Sequence, residues 1–569
     1  MTAALLPVGT TLLVALLSPL VFAQTAPPPP PPNAGSVLQQ VQPALVPPPS
    51  AQPLPPLSVP RAVAAPTAGA GGRVDVKGFR IAGLPTAQAE PLLPPLQKYV
   101  GAGKTLADLE DAAKDVEVVL QRQGLFLAQV YVPEQTLADG VVTLQVLEGR
   151  IGAVKVEVEP GVRVAPERLD RIVAILRGNP VAHRDLVERA LFILGDLRGI
   201  AVSTALTPGD KVGHADLLVK VAKGADFATT LDIDNGGSLY TGKVRVNAGF
   251  DWFNPTGRGD VASLRAQVTT NLGAKFLRAS WLTPINAAGT KFGVAASFLK
   301  YELGSAIFSS LDADGTAEAY SLQLLHPLVR SRNNNVFLQA STDYRRFKDR
   351  VQAVPLVMRK DIVPYATLGV VGDFRDTFAG GGITNYSLGV VGGRLRIKTE
   401  DEVVVDRANY RSAGSYAKLQ VGASRLQVLP NKHYLYLSAL GQLASKNLDS
   451  SEKFSLGGPY GVRAYPSPES PTDSGLITTW EYRAPLPITR IAGDWIFTVF
   501  GDYAVGRLHQ DPLATDVGNT RKLVAHGLGL TYGGTKGLLV KTWVAVRGGT
   551  RAQSDDSKVR LYALISQQF

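Results

Sequence analysis

Few side chains in this sequence have a type and spacing that could perform catalysis. The chain contains 0 Cys, which excludes thiol nucleophiles, disulfide bonds and cysteine-ligated metal sites. Its 6 histidines show neither metal-binding spacing nor a nucleophile–base motif, and they are His183, His214, His326, His433, His509 and His526. The sequence therefore predicts no catalytic residue, no metal site and no enzyme.

One segment imitates a phosphate-binding loop. Gly101–Thr105 reads Gly-Ala-Gly-Lys-Thr. A true loop of this kind needs another glycine five residues before Gly103, where Lys98 stands, and a buried strand just upstream, where prolines stand instead. We therefore expect Thr105 to cap a helix, and we predict no nucleotide and no other cofactor.

The charge pattern does not favour a nucleic-acid partner. The net charge is +11, but the basic residues are scattered and never form a run of five or six. Charged residues make up only 19% of the chain, below the ~25% of an average soluble protein. The chain is therefore rather apolar without being a helical membrane protein.

The N-terminal region predicts export. The apolar stretch Leu5–Ala23 ends in small residues and is interrupted by proline, which indicates a signal peptide over residues 1–23 rather than an anchor helix. Residues 24–72 are rich in proline and predict a stiff, extended linker. Within this linker, residues 33–42 could form a short amphipathic helix capped by Asn33, which would need a docking site to be stable.

Two small α/β modules are predicted next. Residues 73–150 contain alternating strands and a helix that begins after Thr105, in the order β-α-α-β-β. Residues 151–223 repeat that order. The two modules therefore form a tandem repeat.

From residue 225 to residue 569 the helical period is replaced by alternation of apolar and polar residues. A soluble sandwich also alternates, so connection lengths carry the argument. Short and long connections tend to alternate, and each strand with its connection takes about 21 residues, which suits a membrane-spanning barrel. Sixteen strands are predicted if a short segment near residue 453 is the root of a loop. The fold class is therefore mainly β, with a 16-stranded transmembrane barrel.

The C-terminal residue is Phe569. A terminal aromatic residue is the usual assembly signal of such barrels, although Gln567 interrupts the apolar face that leads to it. We therefore expect the barrel assembly machinery as a partner during biogenesis, and outer-membrane lipid as the surroundings of the barrel.

Several segments resemble one known family, the TpsB transporters of two-partner secretion (the FhaC/ShlB-like group within the BamA-like barrel superfamily). Gly124–Gln135 and Val146–Ile151 are similar to the first POTRA module of that family, with motif residues Tyr131, Pro133, Gln135, Glu148 and Gly149. The resemblance implies that residues 73–150 and 151–223 are two periplasmic POTRA domains. It also implies that the helix at 33–42 plugs the pore from inside.

The sharpest resemblance concerns two short motifs. Val462, Arg463, Ala464 and Tyr465 resemble the family motif of extracellular loop 6, here residues 457–474, with Ala464 in place of the usual glycine. Phe500, Gly501 and Asp502 resemble the F-x-D motif of the barrel wall. If loop 6 folds into the lumen, the guanidinium of Arg463 needs a carboxylate, and Asp502 is the candidate partner. Residue type alone favours a solvated loop arginine, whereas the motif context favours the ion pair.

The resemblance implies an outer-membrane translocase of a Gram-negative bacterium that secretes a large partner exoprotein without ATP. That partner would be TpsA-like, a haemolysin, an adhesin or a contact-dependent toxin, and the POTRA domains would bind it by strand addition at an edge such as Phe126–Val132 or Ala201–Leu206. The alternative is a BamA-like assembly factor for other barrels. A passive porin is a further alternative, but it needs neither the POTRA residues nor loop 6.

Overall fold

The structure is a computed structural model that describes residues 32–41, 72–137, 139–178, 181–304, 312–351 and 358–569. The signal peptide predicted over residues 1–23 and most of the proline-rich linker lie outside these residues. Within the described part, no helix is both long and apolar enough to cross a membrane.

The helices of the described residues are α1 Ala34–Val41, α2 Thr86–Ala89, α3 Leu106–Arg122, α4 Pro166–Val173, α5 Arg184–Gly195 and α6 Glu400–Ala408. The strands before the barrel are β1 Val74–Val76, β2 Gly78–Ala82, β3 Gly101–Lys104, β4 Gln129–Tyr131, β5 Val141–Leu147, β6 Arg150–Val158, β7 Ile200–Pro208 and β8 His214–Lys223. The next strands are β9 Phe227–Asp234, β10 Arg245–Phe253, β11 Val261–Thr269, β12 Ala274–Pro284, β13 Lys291–Glu302, β14 Ala313–Arg330, β15 Asn334–Val351, β16 Met358–Asp376, β17 Gly382–Ile397 and β18 Gly414–Val428. The last are β19 Tyr434–Ala444, β20 Phe454–Ser455, β21 Pro471–Thr472, β22 Ser474–Leu486, β23 Gly493–Arg507, β24 Thr520–Gly534, β25 Leu538–Arg547 and β26 Val559–Gln568.

The first small module packs α3 on a three-stranded sheet ordered β2-β5-β4. Helix α3 begins with a capping box, in which the Thr105 side chain accepts from the Asp108 N–H and the Asp108 carboxylate accepts from the Thr105 N–H. Upstream, a four-residue helix continues as 3₁₀ turns through residue 99 because prolines interrupt it. The predicted strand from residue 73 to residue 81 is broken into β1 and β2, and β1 pairs with β3 instead. The P-loop-like segment is therefore mostly a short strand.

The second module has the same arrangement, a sheet ordered β6-β8-β7 under helices α4 and α5. In both modules the central strand runs parallel to one neighbour and antiparallel to the other. The buried face of α5 includes Val187, Leu191 and Leu194, which pack on alternating valines of β8. The edge strands β4 and β7 each hydrogen-bond to one neighbour within the described residues.

The remaining strands close into one antiparallel barrel. Its order is β9 to β19 followed by β22 to β26, and β26 pairs with β9. This confirms the predicted 16-stranded barrel, and the segment near residue 453 is the short hairpin β20–β21 inside a loop. Closure gives every barrel strand two hydrogen-bonded neighbours, which is the condition for a sheet to exist in hydrocarbon.

Alternation sorts the side chains of each barrel strand into two faces. Outward residues are apolar and exposed, for example Leu277, Phe298 and Tyr320. The inward face carries ion pairs such as Arg265 with Asp251, whose charged atoms are 2.7 Å apart. Strands β14, β15 and β16 have 18, 18 and 19 residues and so extend well beyond the ~9–11 residues that cross a membrane.

The second module is joined to the barrel by a buried ion pair. Arg330, at the end of β14, lies 2.6 Å from Asp196, just after α5. Its guanidinium also donates to Asn335 at 2.7 Å and lies between the rings of Phe192 and Phe337. The short-turn end of the barrel therefore faces the second module, and the long loops lie at the opposite end.

Candidate functional site

The connection between β19 and β22 folds inward and fills part of the lumen. It turns back through the two-residue hairpin β20–β21. Leu456, Val462, Ala464 and Tyr465 are each 0% exposed and pack against the inner wall. The hydroxyl of Tyr465 donates to the backbone oxygen of Thr550 at 2.7 Å. The loop is thus a packed part of the interior.

Arg463 ends in an ion-pair network on the inner wall. Its Nε and one terminal nitrogen donate to the two carboxylate oxygens of Asp502 at 2.9 and 2.8 Å. The other terminal nitrogen donates to Glu481 at 2.7 Å. The guanidinium lies 3.5 Å from the ring centroid of Phe500. The structure therefore brings together the two motifs that the sequence placed 39 residues apart.

Neighbouring groups fix the orientation of both carboxylates. Asp502 also accepts from the backbone N–H of Arg463 at 3.1 Å and from the hydroxyl of Thr479 at 3.0 Å. Glu481 is held by Arg483, 2.6 Å away. A planar guanidinium held in this bidentate way is specific in geometry as well as in charge. Sequence reasoning missed Glu481, since no motif marks it.

The two small residues of these motifs lie on opposite sides of the wall. Ala464, which replaces the usual glycine, has its methyl group buried in the luminal core. Gly501 faces the other way, where a Cβ would come within 2.4 Å of the Trp480 indole nitrogen. The wall therefore needs glycine at 501, while the loop accommodates alanine at 464.

A second charged network lies at the root of loop 6 and was not predicted. Glu452 is 2% exposed, and its carboxylate lies 3.1 Å from Arg345 and 2.7 Å from Lys418. Lys453, next in sequence, lies 2.7 Å from Asp473. Burial lowers the pKa of Lys453, and Asp473 opposes that shift. The only sequence signal was the pair of charged residues just before Phe454.

Helix α1 docks inside the barrel against this root. The N–H of Ala34 donates to the Asp349 carboxylate at 2.7 Å, and the Ser450 hydroxyl donates to the Asn33 side chain at 2.8 Å. The Gln39 side chain donates to the backbone oxygen of Lys453. A Cβ on Gly35 would come within 2.7 Å of Ser451. The helix and the loop root are therefore in direct contact.

The apolar face of α1 finds the docking site that a helix of eight residues requires. Ala34, Val37 and Leu38 are at most 1% exposed. They pack on inward side chains that include Tyr301 and Phe347. The helix thus occupies the long-loop half of the lumen.

The motif residues of the first module hold its sheet together. The Gln135 side chain accepts from the N–H of Thr143 at 2.7 Å and donates to its carbonyl at 2.9 Å, as a neighbouring strand would. Gly149 has a φ of +77°, and a Cβ there would lie 2.4 Å from Leu127. Tyr131 is 42% exposed on the edge strand β4. The carbonyl of Pro133 also accepts from the Gln135 side chain. Glu148 forms no ion pair among the described residues.

The predicted edge segments lie at sheet edges. Only Gln129–Tyr131 of the first segment is a strand, because the backbone before it turns around Gly124 and Leu125. The second segment lies within the longer strand β7.

The C-terminal residue Phe569 is 75% exposed. Its N–H donates to the carbonyl of Thr229 at 3.0 Å, where β26 pairs with β9 to close the barrel.

The described residues contain no cluster of three or more His, Cys, Asp or Glu that could hold a metal ion. The charged groups of the lumen are instead neutralised by one another. What the arrangement provides is a closed barrel whose lumen is partly filled by two elements, α1 and loop 6, each held by polar and apolar contacts.

Comparison with known families places these features in context. The family profile described as "Haemolysin secretion/activation protein ShlB/FhaC/HecB" matches residues 213–532. The profile "POTRA domain, ShlB-type" matches residues 74–149. The heme/hemopexin transporter protein HuxB of Haemophilus influenzae (strain 86-028NP) is 28% identical over 444 residues, which is 77% of each chain.

Outer membrane transporter CdiB of Escherichia coli O6:K15:H31 is 22% identical over 373 residues, 63% of this chain and 60% of the other. Among solved structures, CdiB from Escherichia coli has a TM-score of 0.68 and 19% identity, covering 91% of this chain and 94% of the other. BamA from Haemophilus ducreyi lacking POTRA domains 1–3 has a TM-score of 0.50 and 16% identity, covering 87% and 100%. These structural likenesses show the shared fold.

Proposed function

This chain belongs to the ShlB/FhaC/HecB family of haemolysin secretion/activation proteins, and we propose that its lumen is the path by which one large exoprotein leaves the periplasm. The protein is an outer-membrane transporter of the two-partner secretion type, with POTRA domains on the periplasmic side. The observation that carries the proposed path is the inward-folded loop 6, whose Arg463 is ion-paired to Asp502 on the inner wall of the closed barrel.

Passage through the lumen requires that α1 leave it. The helix is held by a few hydrogen bonds and one apolar face, and it is joined to the first POTRA domain through residues 42–71. That linker is long enough to let the helix leave, since a proline-rich chain spans about 3.1 Å per residue. Loop 6 is held more firmly, by buried charge-assisted hydrogen bonds.

The POTRA domains would recognise the exoprotein by strand addition. In the described residues, β7 hydrogen-bonds to β8 alone, so its other edge can accept an extended peptide. The edge of β4 is shorter, with three residues, but it carries the exposed Tyr131. We therefore assign the main binding edge to β7, with β4 as a secondary edge.

No nucleotide is needed in this proposal. The P-loop-like residues form β3 and a helix cap. Folding of the exoprotein outside the cell would give the movement its direction. The cargo is a haemolysin, an adhesin or a contact-dependent toxin, and Phe569 would be read by the barrel assembly machinery when the protein itself is inserted.

The test asks whether a large exoprotein is encoded beside this gene and whether its secretion depends on this protein. The exoprotein should reach the surface or medium only when this protein is present. A photo-crosslinking residue at Ser203 on β7 should capture it in cells, whereas the same residue at Lys211, in the β7–β8 turn, should not. An exoprotein secreted equally well without this protein would refute the proposal. A general loss of other barrel proteins would instead support the assembly-factor alternative.

A further inference from the structure

The outer face of β12 to β17 carries a transverse row of basic side chains. Cα pairing aligns Lys275 with Lys300, Lys300 with Thr316, Thr316 with Lys348 and Lys348 with Lys360. The N–H of Lys398 then donates to the carbonyl of Lys360 at 2.8 Å. These residues are named the lysine row: Lys275, Lys300, Lys348, Lys360 and Lys398. With strands about 4.8 Å apart, the row spans about 24 Å.

All five side chains of the lysine row point away from the lumen. Their sequence neighbours Phe276, Leu299 and Phe347 face inward and are at most 6% exposed, and alternation places the lysines on the other face. Each lysine is itself exposed. The row therefore faces the surroundings of the barrel.

The row lies near the upper boundary of the apolar belt. On β12 and β13 the next outward residues towards the short-turn end are the exposed Leu277 and Phe298. On β14, β15 and β17 they are Glu318, Arg346 and Arg396, and the belt begins lower, for example at Tyr320. The lysines themselves are at the long-loop end, opposite the POTRA domains. That end faces the cell exterior, so the row lies where the outer leaflet changes from acyl chains to headgroups.

The fold compensates the charge of this row only in part, through Glu302, which attracts both Lys300 and Lys275. Like charges directly opposite each other on neighbouring strands are destabilising. Lys300 lies 2.8 Å from Glu302, but the described residues hold no carboxylate within 4.0 Å of the amino groups of the other four lysines. Residues 305–311 and 352–357 contain no charged residue.

More positive charge flanks the row on the same outer face. Arg346 lies next to Lys348 and stacks on the ring of Tyr344, and Arg394 and Arg396 are exposed on β17. The acidic residues among these strand ends are Glu302, Asp312, Asp314 and Glu318, and Glu318 lies 3.9 Å from Arg346. Glu400 and Asp401 are also exposed, just after Lys398. The basic residues still outnumber these acidic ones, so the patch has a net positive charge.

A groove of about 700 Å³ lies on β12 to β15 below the row. Its outward lining includes the small residues Ala279 and Ala296 between the larger Trp281, Tyr320 and Leu322. A phosphorylated glycolipid matches both features: its acyl chains lie in the hydrocarbon, as the groove does, and its phosphates lie at the interface, as the lysine row does. Polybasic clusters at such an interface bind anionic headgroups.

We propose that the lysine row binds the phosphate groups of an outer-leaflet glycolipid and that the groove below it receives one acyl chain. The lipid phosphates supply counter-charge to the lysines that have no carboxylate within 4.0 Å among the described residues. The site lies on the outer face of β13, β14 and β15, whose inner face holds α1. It is separate from the protein-conducting path, so its test does not depend on the exoprotein.

The test uses the purified full chain in detergent and native mass spectrometry. The probes are diphosphoryl lipid A, the same lipid after phosphatase treatment, and inorganic phosphate. We expect the diphosphoryl lipid to bind about ten-fold or more tightly than the dephosphorylated lipid. We also expect this difference to shrink as NaCl rises from about 50 mM to about 500 mM. Inorganic phosphate at the same phosphate concentration should not displace the lipid.

The matched variants carry four substitutions each. Lys275→Gln, Lys348→Gln, Lys360→Gln and Lys398→Gln together should lower the affinity for diphosphoryl lipid A about ten-fold or more. The control variant carries Lys211→Gln, Lys432→Gln, Lys522→Gln and Lys536→Gln at exposed positions elsewhere, and it should bind like the wild type.

Equal binding of the two lipids by the wild-type protein would overturn the proposal, and that comparison needs no variant to fold. Displacement by inorganic phosphate would overturn the assignment to a lipid. Heat-modifiable mobility would show whether the variant with four substitutions in the lysine row has a closed barrel. If that folded variant binds diphosphoryl lipid A as tightly as the wild type, the assignment to these lysines is wrong.

Discussion

At the scale of single residues, the protein depends on charges that are buried in matched sets. Arg463 is 5% exposed and Asp502 is 2% exposed. Their bidentate contact offsets the cost of removing both from water, and Phe500 adds a cation–π contact. Such a pair gives little net stability, but removing one partner leaves the other uncompensated. The motif is therefore better explained as a device that fixes the position of loop 6.

Replacement of that arginine tests this explanation. Arg463→Ala should release loop 6 at a cost of about 3–5 kcal/mol and sharply reduce secretion, while the barrel still inserts. The measurement combines exoprotein secretion with heat-modifiable mobility. Arg490→Ala is the control, because Arg490 is exposed in a periplasmic turn. Normal secretion by Arg463→Ala at normal expression would show that loop 6 is not the active element.

At the scale of elements, α1 and the root of loop 6 form one luminal obstruction. The helix contacts β13, β14 and β15 on one side and residues 450–453 on the other. The helix can lie this close to residues 450–453 because Gly35, which faces Ser451, has no side chain. A helix of eight residues is not stable alone in water, so its order depends on this docking site.

A bulkier residue at the contact should open the pore. Gly35→Val would place a side chain against Ser451, where even a Cβ comes within 2.7 Å. We expect α1 to be displaced and the single-channel conductance in a planar bilayer to approach that of a variant without residues 24–60. Gln40→Val, at a half-buried position of the same helix, should conduct like the wild type. A Gly35→Val variant as closed as the wild type would argue against α1 as a plug.

The extracellular loops contain a histidine, His509, that is packed against a tyrosine ring. The ring of His509 stacks on Tyr410 with centroids 3.7 Å apart, and Asn447 donates to the carbonyls of Tyr410 and Asp511 at 2.8 Å. Burial, followed by the nearby charge of Lys453, lowers the pKa of His509 to about 4, although Asp473 and Asp516 oppose the shift. The folded loops therefore favour the neutral ring.

Acid should loosen this contact. Because the folded pKa lies below the ordinary value of 6.5, the stabilisation is present above pH 6.5 and is lost as the pH falls towards 4. Electron paramagnetic resonance between spin labels at positions 408 and 512 should show separation at acidic pH. His509→Phe keeps the stacked ring without a titrating group, so its distance should not change. An equal change in both proteins would exclude His509 as the cause.

At the scale of the whole molecule, the second module is held to the barrel by a polar joint. Arg330 is 4% exposed and satisfied by Asp196 and Asn335. Arg189 also donates to the carbonyls of Pro327 and Leu328, both at 2.9 Å. These contacts fix the angle at which the edge of β7 meets the barrel mouth.

Breaking the joint should free the second module, residues 151–223. Asp196→Ala leaves the buried Arg330 without its carboxylate, so we expect a broader distribution of distances between spin labels on this module and the barrel. In the double variant Asp196→Ala, Arg330→Met the distance distribution should become narrow again, because no unpaired buried charge remains. Asp170→Ala removes an exposed ion pair of the same domain and should have little effect. If the distance distribution of Asp196→Ala equals that of the wild type, the Arg330–Asp196 ion pair does not hold this module to the barrel.

Much of the architecture follows from local patterns in the sequence. Alternation is a property of each strand alone, so Leu277 and Phe298 could be assigned to one face and Phe276 to the other. Connection lengths indicated which end carries the loops, and the capping box at Thr105 located the start of α3. The β-strand predicted from residue 73 to residue 81 was less accurate, because pairing of β1 with β3 breaks it.

Contacts between distant segments were decided only by the tertiary structure. A family resemblance paired Arg463 with Asp502, but nothing in the sequence marked Glu481, the network around Glu452, or Asp349 at the start of α1. These groups meet because barrel closure fixes the register of sixteen strands and confines the loop and the helix in one lumen. The lysine row has the same origin, since its members are scattered over more than 120 residues and align only through strand pairing. Periodicity determines which face a side chain takes, whereas register and closure determine its neighbours.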